Sequence, residues 1–194
     1  MATVFTHSFF AAFLGKAFFP GRMPVRFWML VLLCAVLPDL DVLAFKVGLA
    51  YRHALGHRGF LHSLLFALIV GVTVTLAAFR EERRFSRRWW LLAGCFSLVT
   101  ASHGVLDAMT NGGYGTGFLL PFDPTRYFLP WRPLQVSPIG IKGLLSMQGV
   151  RIILNEMLWI WLPCLAACFV LRRLQDRTGP ASGPRQMRSS GPSD

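Results

Sequence analysis

The sequence predicts an all-α, polytopic membrane protein with four or five transmembrane helices and a long extracytoplasmic loop. Three observations predict it. Of 194 residues, 54% are hydrophobic and only 15% are charged, whereas soluble domains carry about a quarter charged residues. The apolar residues fall into runs of about 20, the length that crosses roughly 30 Å of hydrocarbon. The basic residues, which give a net charge of +11, flank those runs. Arg80, Arg83, Arg84, Arg87 and Arg88 lie between two runs, and Arg172, Arg173 and Arg177 follow the last. That is juxtamembrane charge. It argues against nucleic acid as a partner, which would need a basic groove.

Residues 4–19 form a short first run containing His7 and Lys16. It either spans, with Lys16 snorkelling to one face, or lies in the interface. Residues 27–45, 60–79, 89–108 and 152–171 are the longer runs. Cys34, Cys95, Cys164 and Cys168 all sit inside runs, none in a Cys-x-x-Cys pair, so a zinc ribbon or disulfide framework is not expected. No basic region precedes the first apolar stretch, which disfavours a cleaved signal peptide. Residues 1–173 read as one membrane domain, and 174–194 as a disordered basic cytoplasmic tail. Within the domain, residues 111–151 are rich in Gly and Pro but carry Tyr114, Phe122, Tyr127, Phe128 and Trp131. A loop of that length and aromatic content is expected to fold over the outer mouth of the bundle.

Basic-residue bias sets the orientation. The arginine loop at 80–88, Lys16, Arg22, Arg26 and the tail are placed in the cytoplasm, and residues 46–59 and 111–151 outside. At about 1.5 Å per residue, Asp39 and Asp41 then lie roughly 18 to 21 Å above Phe27. His103 and Asp107 lie roughly 21 to 27 Å above Trp89 by the same rise. His7, His57, His62 and Glu156 come out at that same outer end. That orientation follows from the basic residues alone, so the convergence of these residues is an independent sign of one site.

The chemistry is expected from three stretches. His103 and Asp107, at i and i+4, share a helix face and can bind one metal or bridge two; ionisable residues at membrane depth are functional by default. Asp39 and Asp41 are two apart, so both reach one site only if the helix breaks, and Pro38 supplies the break. Alternatively, one acid binds metal and the other orients a histidine. His57 and His62 bracket a loop-to-helix transition, with Arg58 between them as a bidentate donor for a substrate phosphate or carboxylate. Ser63 is read as a polar residue of the next helix's first turn, and His53 as a further ligand or a surface residue. Imidazole with carboxylate suits zinc first and manganese or iron next, and so many ligands suggest two ions, as in two-metal phosphoester hydrolysis. Asp41 or Glu156 would serve as the base.

His7, Pro38-Asp39-Leu40-Asp41, His57-Arg58-Gly59-x-x-His62-Ser63, and His103-x-x-x-Asp107 followed by a Gly-rich stretch and Pro121 together resemble one family. It is the YdjM-like family of membrane-bound metal-dependent hydrolases of the bacterial inner membrane, and the resemblance covers residues 3–145. It implies a multi-span helical protein with His7, Asp39, Asp41, His57, His62, His103 and Asp107 as metal ligands. The expected function is hydrolysis of an ester or phosphoester in a membrane lipid or envelope precursor, because the ligands lie at headgroup depth. The rivals are a divalent-metal transporter or sensor and a membrane scaffold. The apolar inner halves of the runs at 27–35 and 89–96 disfavour transport.

Overall fold

A computed structural model describes residues 1–137, 143 and 145–178. Its elements are α1 (Val4–Phe18), α2 (Val25–Val36), a 3₁₀ segment (Leu37–Val47), a 3₁₀ turn (Phe60–His62), α3 (Leu64–Ala78), α4 (Arg87–Ala108), α5 (Met147–Glu156), a π turn (Met157–Trp161) and α6 (Leu162–Thr178). Among the described residues there is no strand, only two isolated bridges, Thr110 with Leu134 and Thr116 with Tyr127. The fold is all-α.

Each helix starts where its sequence offers a cap. Thr3, Ser63, Ser86 and Ser146 accept from the backbone N–H three residues on, and so open α1, α3, α4 and α5. Ser63 is therefore a cap residue just outside its helix. α2 follows Pro24, whose missing N–H costs nothing at a helix start. It stops at Val36, and the chain tightens into 3₁₀ geometry through Pro38. This is the break that the two acids require.

Three helical stretches are long and apolar enough to cross a membrane: Val25–Ala44, Arg87–Ala108 and Met147–Val170. α1 and α3 are apolar but have 15 residues each, about 22 Å at 1.5 Å per residue. A count of four spans takes in one of these two, and a count of five takes in both. The run at 60–79 loses its first turn to the helix because residues 60–62 form the 3₁₀ turn that carries His62 inward. α6 continues through Thr178, so the boundary drawn at 173/174 falls inside it; residues 179–194 lie outside the described residues.

α4 is the axis of the bundle. α1, α2 and α3 all pack against it, and it is the most enclosed of the three long helices. Its first half joins Phe27, Val31, Val70 and Phe79 around Leu92, Cys95, Phe96 and Val99. Gly71 of α3 sits in a trough made by Ala93 and Ser97, one turn apart on α4; a Cβ at Gly71 would lie 2.1 Å from Ser97 Oγ and 2.5 Å from the Ala93 carbonyl. Small residues in this pattern let helix backbones approach closely in lipid. Outward, Met29, Leu33, Leu68, Ile69, Leu98 and Leu165 are exposed, which suits a lipid solvent and no aqueous one.

The described part of the long connection, residues 109–137, closes over the far end of α4. Leu129 N–H donates to the Ala108 carbonyl at 3.0 Å and Asn111 N–H to the Leu134 carbonyl at 2.9 Å. Gly117 N–H reaches the Arg58 carbonyl at 2.9 Å, and Leu64 N–H donates to the Phe118 carbonyl at 3.0 Å. The segment thus ties the end of α4 to the turn that carries His57 and His62.

Candidate metal centre

His103 and Asp107 stand one turn apart on the buried face of α4. The first turns of α1 bring His7 to them: its ring stacks on His103, centroids 3.7 Å apart and 8° from parallel. His7 Nε2 lies 3.5 Å from Asp107 Oδ1. The 3₁₀ turn delivers His62, with Nε2 3.6 Å from Asp107 Oδ2 and its ring edge-on to His103 at 4.8 Å. The segment after Pro38 delivers Asp39, Oδ1 3.2 Å from His103 Nε2. Two ligand sets result, His7 with His103 and Asp107, and Asp39 with His62 and His103; within each, the donor atoms lie within 4.8 Å of one another. His103 belongs to both.

The donor atoms of these sets are buried and, apart from the ion-pair contacts they make with one another and with Arg58, without hydrogen-bond partners. Both ring nitrogens of His7, Nε2 of His62, Nε2 of His103, Oδ1 of Asp39 and Oδ2 of Asp107 make no hydrogen bond. Each buried polar atom left this way costs about 1 to 3 kcal/mol, and native structures tolerate few. A cation among them satisfies the set at once, so the residues present fit a metal ion.

Around the donors lies a ring of groups that hold them. His103 Nδ1 donates to the Ala35 carbonyl at 2.7 Å, which leaves Nε2 as the lone-pair nitrogen aimed at Asp39. Asp41 holds the other side. Its Oδ1 is 2.6 Å from His57 Nδ1, and its Oδ2 accepts the Arg58 backbone N–H at 2.8 Å and lies 3.0 Å from His62 Nδ1. A carboxylate on the far nitrogen of a ligating histidine fixes its tautomer and ring plane. The two acids therefore divide the work, Asp39 within a ligand set and Asp41 behind the histidines. His57 falls outside both sets, on Asp41.

Three further sequence candidates lie elsewhere. Arg58 is fully buried and points inward: Nε is 3.0 Å from Asp107 Oδ2, Nη1 donates to the Gly112 carbonyl and Nη2 to Thr110 Oγ1, both at 3.0 Å. It offsets the Asp107 charge from within the protein. Gly113, at φ 92°, makes room for it, since a Cβ there would lie 2.8 Å from Nη1. Glu156 lies outside both ligand sets. Its oxygens accept the Thr3 N–H at 2.7 Å, Thr6 Oγ1 at 2.6 Å and the Thr3 hydroxyl, so it caps the start of the helix that carries His7. Trp161 Nε1 completes that network on Thr6 Oγ1 at 2.9 Å. His53 is exposed and accepts the Leu55 N–H at 3.1 Å.

Sequence reasoning missed Thr3, Thr6, Thr110, the Ala35 carbonyl and the Ala2 N–H, which donates to Asp107 Oδ1 at 2.8 Å. Thr3 and Thr6 could have been flagged as a polar entry to an apolar helix. The backbone groups carry no sequence signal.

The model of the YdjM inner membrane protein family matches residues 1–178. The chain belongs to that family. Inner membrane protein YbcI of Escherichia coli (strain K12) is 37% identical over 163 residues, which is 84% of this chain and 92% of that protein. No solved structure matches. As a YdjM family member the chain is a bacterial inner-membrane protein, and its buried His and Asp groups could hold a metal ion.

Proposed function

We propose that this YdjM family member is a metal-dependent hydrolase that cleaves an ester or phosphoester in a lipid or envelope-precursor substrate at the outer leaflet. The observation that carries the reading is the set of buried donors without hydrogen-bond partners on His7, Asp39, His62, His103 and Asp107. Three imidazoles and two carboxylates in so small a space suit zinc first, with manganese or iron next. His103 has only Nε2 free to ligate, so it would serve one ion, and any second ion would draw on the remaining donors. Bound there, such ions supply the Lewis acidity on which ester and phosphoester hydrolysis draws.

The chain's own residues prepare that chemistry. Asp41 keeps His57 and His62 oriented, Arg58 tempers the charge of Asp107, and Glu156 anchors the turn before His7. Of the four buried-end carboxylates, Asp39 alone has a side chain that reaches the surface, at 17% exposed, so substrate would approach along its edge. That edge ends an apolar helix, where a headgroup would sit. In this reading α1 and α3 also cross, for five spans, and the centre faces the periplasm.

One observation favours a second reading. His7, His62, His103 and Asp107 are at most 2% exposed, as they would be around an ion that merely ties α1, α4 and the 3₁₀ turn together. Elemental analysis of detergent-purified wild type beside His62→Ala and His103→Ala tests the shared premise. Near-stoichiometric zinc, manganese or iron lost in both variants is expected; metal absent, or unchanged in the variants, sinks both metal readings. Release of headgroup or phosphate from lipid phosphoesters by the metal-loaded wild type then separates enzyme from tie.

A further inference from the structure

At the opposite end of α4, about 30 Å from Asp107 at 1.5 Å per residue, the α3–α4 turn encloses a cavity of about 310 Å³ lined by Leu76, Phe79, Arg80, Glu82, Arg84 and Trp89. We propose that this cavity binds the phosphate of an anionic phospholipid headgroup. It stands independently of the metal centre.

Charge is the first argument. Two acids lie in the turn, and both are already taken: Glu81 pairs with Arg26, and Glu82 with Arg88 at 2.9 Å. Arg80 and Arg84 line the cavity with no ion pair or hydrogen bond among the described residues. Two guanidinium groups over one cavity match the oxygens of a phosphate, and the partial positive charge at the start of the 22-residue α4 adds to them.

The surroundings of the cavity select lipid. Phe79 and Trp89, 3% and 2% exposed, are buried behind it, and Leu76, 42% exposed, lines it from a surface-exposed position. A free phosphate or a nucleic-acid backbone gains nothing from the exposed apolar side chains beside the cavity, Leu76, Phe85 and Trp90, whereas the glycerol and acyl part of a lipid does. The turn is also built to stay at the interface. Phe85 holds a left-handed backbone, φ 63°, which a bulky residue rarely adopts and which marks a position under constraint. It is largely exposed, and its ring lies 5.3 Å from Trp89 and 6.0 Å from Trp90. Indoles beside arginines at a helix end are the usual membrane-interface anchors. Basic pockets between spanning helices are known receivers of phospholipid headgroups.

The test compares two double variants with the same change in charge. Arg80→Gln/Arg84→Gln removes the cavity arginines, and Arg83→Gln/Arg87→Gln removes two neighbours that do not line it. All four side chains are exposed, so both variants should fold, and their melting temperatures without added lipid verify this. Phosphatidylglycerol, phosphatidylcholine and inorganic phosphate are titrated into delipidated protein in neutral detergent, with bound lipid counted by native mass spectrometry. Phosphatidylglycerol is expected to bind wild type and Arg83→Gln/Arg87→Gln alike, and at least tenfold more weakly to Arg80→Gln/Arg84→Gln. Equal weakening in both variants, or phosphatidylcholine binding as well as phosphatidylglycerol, overturns the site and leaves diffuse surface charge. Displacement of the lipid by inorganic phosphate at equal concentration overturns the lipid assignment in favour of a free anion.

Discussion

The two halves of α4 are both enclosed by other elements and are held by opposite means. From Leu92 to Val99 the helix is locked by apolar side chains against α1, α2 and α3. Two of its polar side chains near the midpoint are answered locally: Thr100 Oγ1 donates to the Phe96 carbonyl at 2.9 Å and Ser102 Oγ to the Val99 carbonyl at 2.8 Å. The Ser97 hydroxyl, packed against Gly71, is a lone exception, with no second open donor beside it among the described residues. One turn further, His103 and Asp107 are as deeply buried, yet Nε2 of one and Oδ2 of the other have no hydrogen bond. Polarity in a membrane helix is thus no sign of a site by itself, since a hydroxyl folds back onto its own helix. What marks the site is several donors from different elements, each left open toward the others. The apolar half is stable on its own terms. The polar half gathers donors that could hold a metal ion.

That contrast predicts separable losses. His103→Ala removes the residue common to both ligand sets, so bound metal should fall to background. A chelator should lower the melting temperature of wild type by several degrees and leave that of the variant unmoved, because an ion stabilises only the fold that binds it. A chelator effect of equal size in both would show that the ion sits elsewhere. Phe96→Ala should do the reverse. It opens a cavity in the apolar half costing about 3 to 5 kcal/mol, read as a lower melting temperature, while metal content per folded molecule stays at the wild-type level. Metal lost in step with stability would mean that the halves are one unit. Asp41→Asn is smaller. The carboxylate touches His57, His62 and the Arg58 N–H, and loss of such a supporting partner typically weakens metal binding about 10- to 100-fold. Competition with a chromophoric chelator measures it, and an unchanged affinity would remove Asp41 from the supporting ring.

The two halves also differed in how well the sequence announced them. The apolar half was legible as runs of hydrophobic residues, although run length overstated what is helical: 60–62 and 37–47 are apolar enough to continue their helices but tighten into 3₁₀ geometry. In the polar half, counting residues along two helices placed Asp39 and His103 at one level, and they stand 3.2 Å apart. Pro38 signalled the break that lets Asp39 and Asp41 face different partners. Direction was the hidden quantity. Nothing in His57-Arg58-Gly-Phe-Leu-His62 says that Arg58 turns inward to Asp107, or that Asp41 takes up His57 while the far nitrogen of His62 stays open. Glu156 was visible as a membrane carboxylate, but its partners Thr3 and Thr6 lie some 150 positions away, a distance at which no local pattern operates.

The smallest expected effect is the one that tests direction most sharply. His53 and His57 are four residues apart in one histidine-rich stretch, and by type and spacing either could serve the centre. His57 is 2% exposed and bound to Asp41; His53 is exposed, and its ring accepts the Leu55 N–H. His57→Ala leaves Asp41 Oδ1 without its partner, so His62 is held less firmly and metal affinity should fall several-fold. His53→Ala removes a single exposed hydrogen bond, for which about 0.5 kcal/mol of stability is a generous limit, and its metal content and affinity should equal those of wild type. Measuring the two variants side by side removes composition as a variable, since each loses one imidazole from the same loop. If His53→Ala lost as much metal as His57→Ala, the stretch would act through its histidine count and not through which way each ring is turned. The division between buried donors and surface residues would then have to be redrawn.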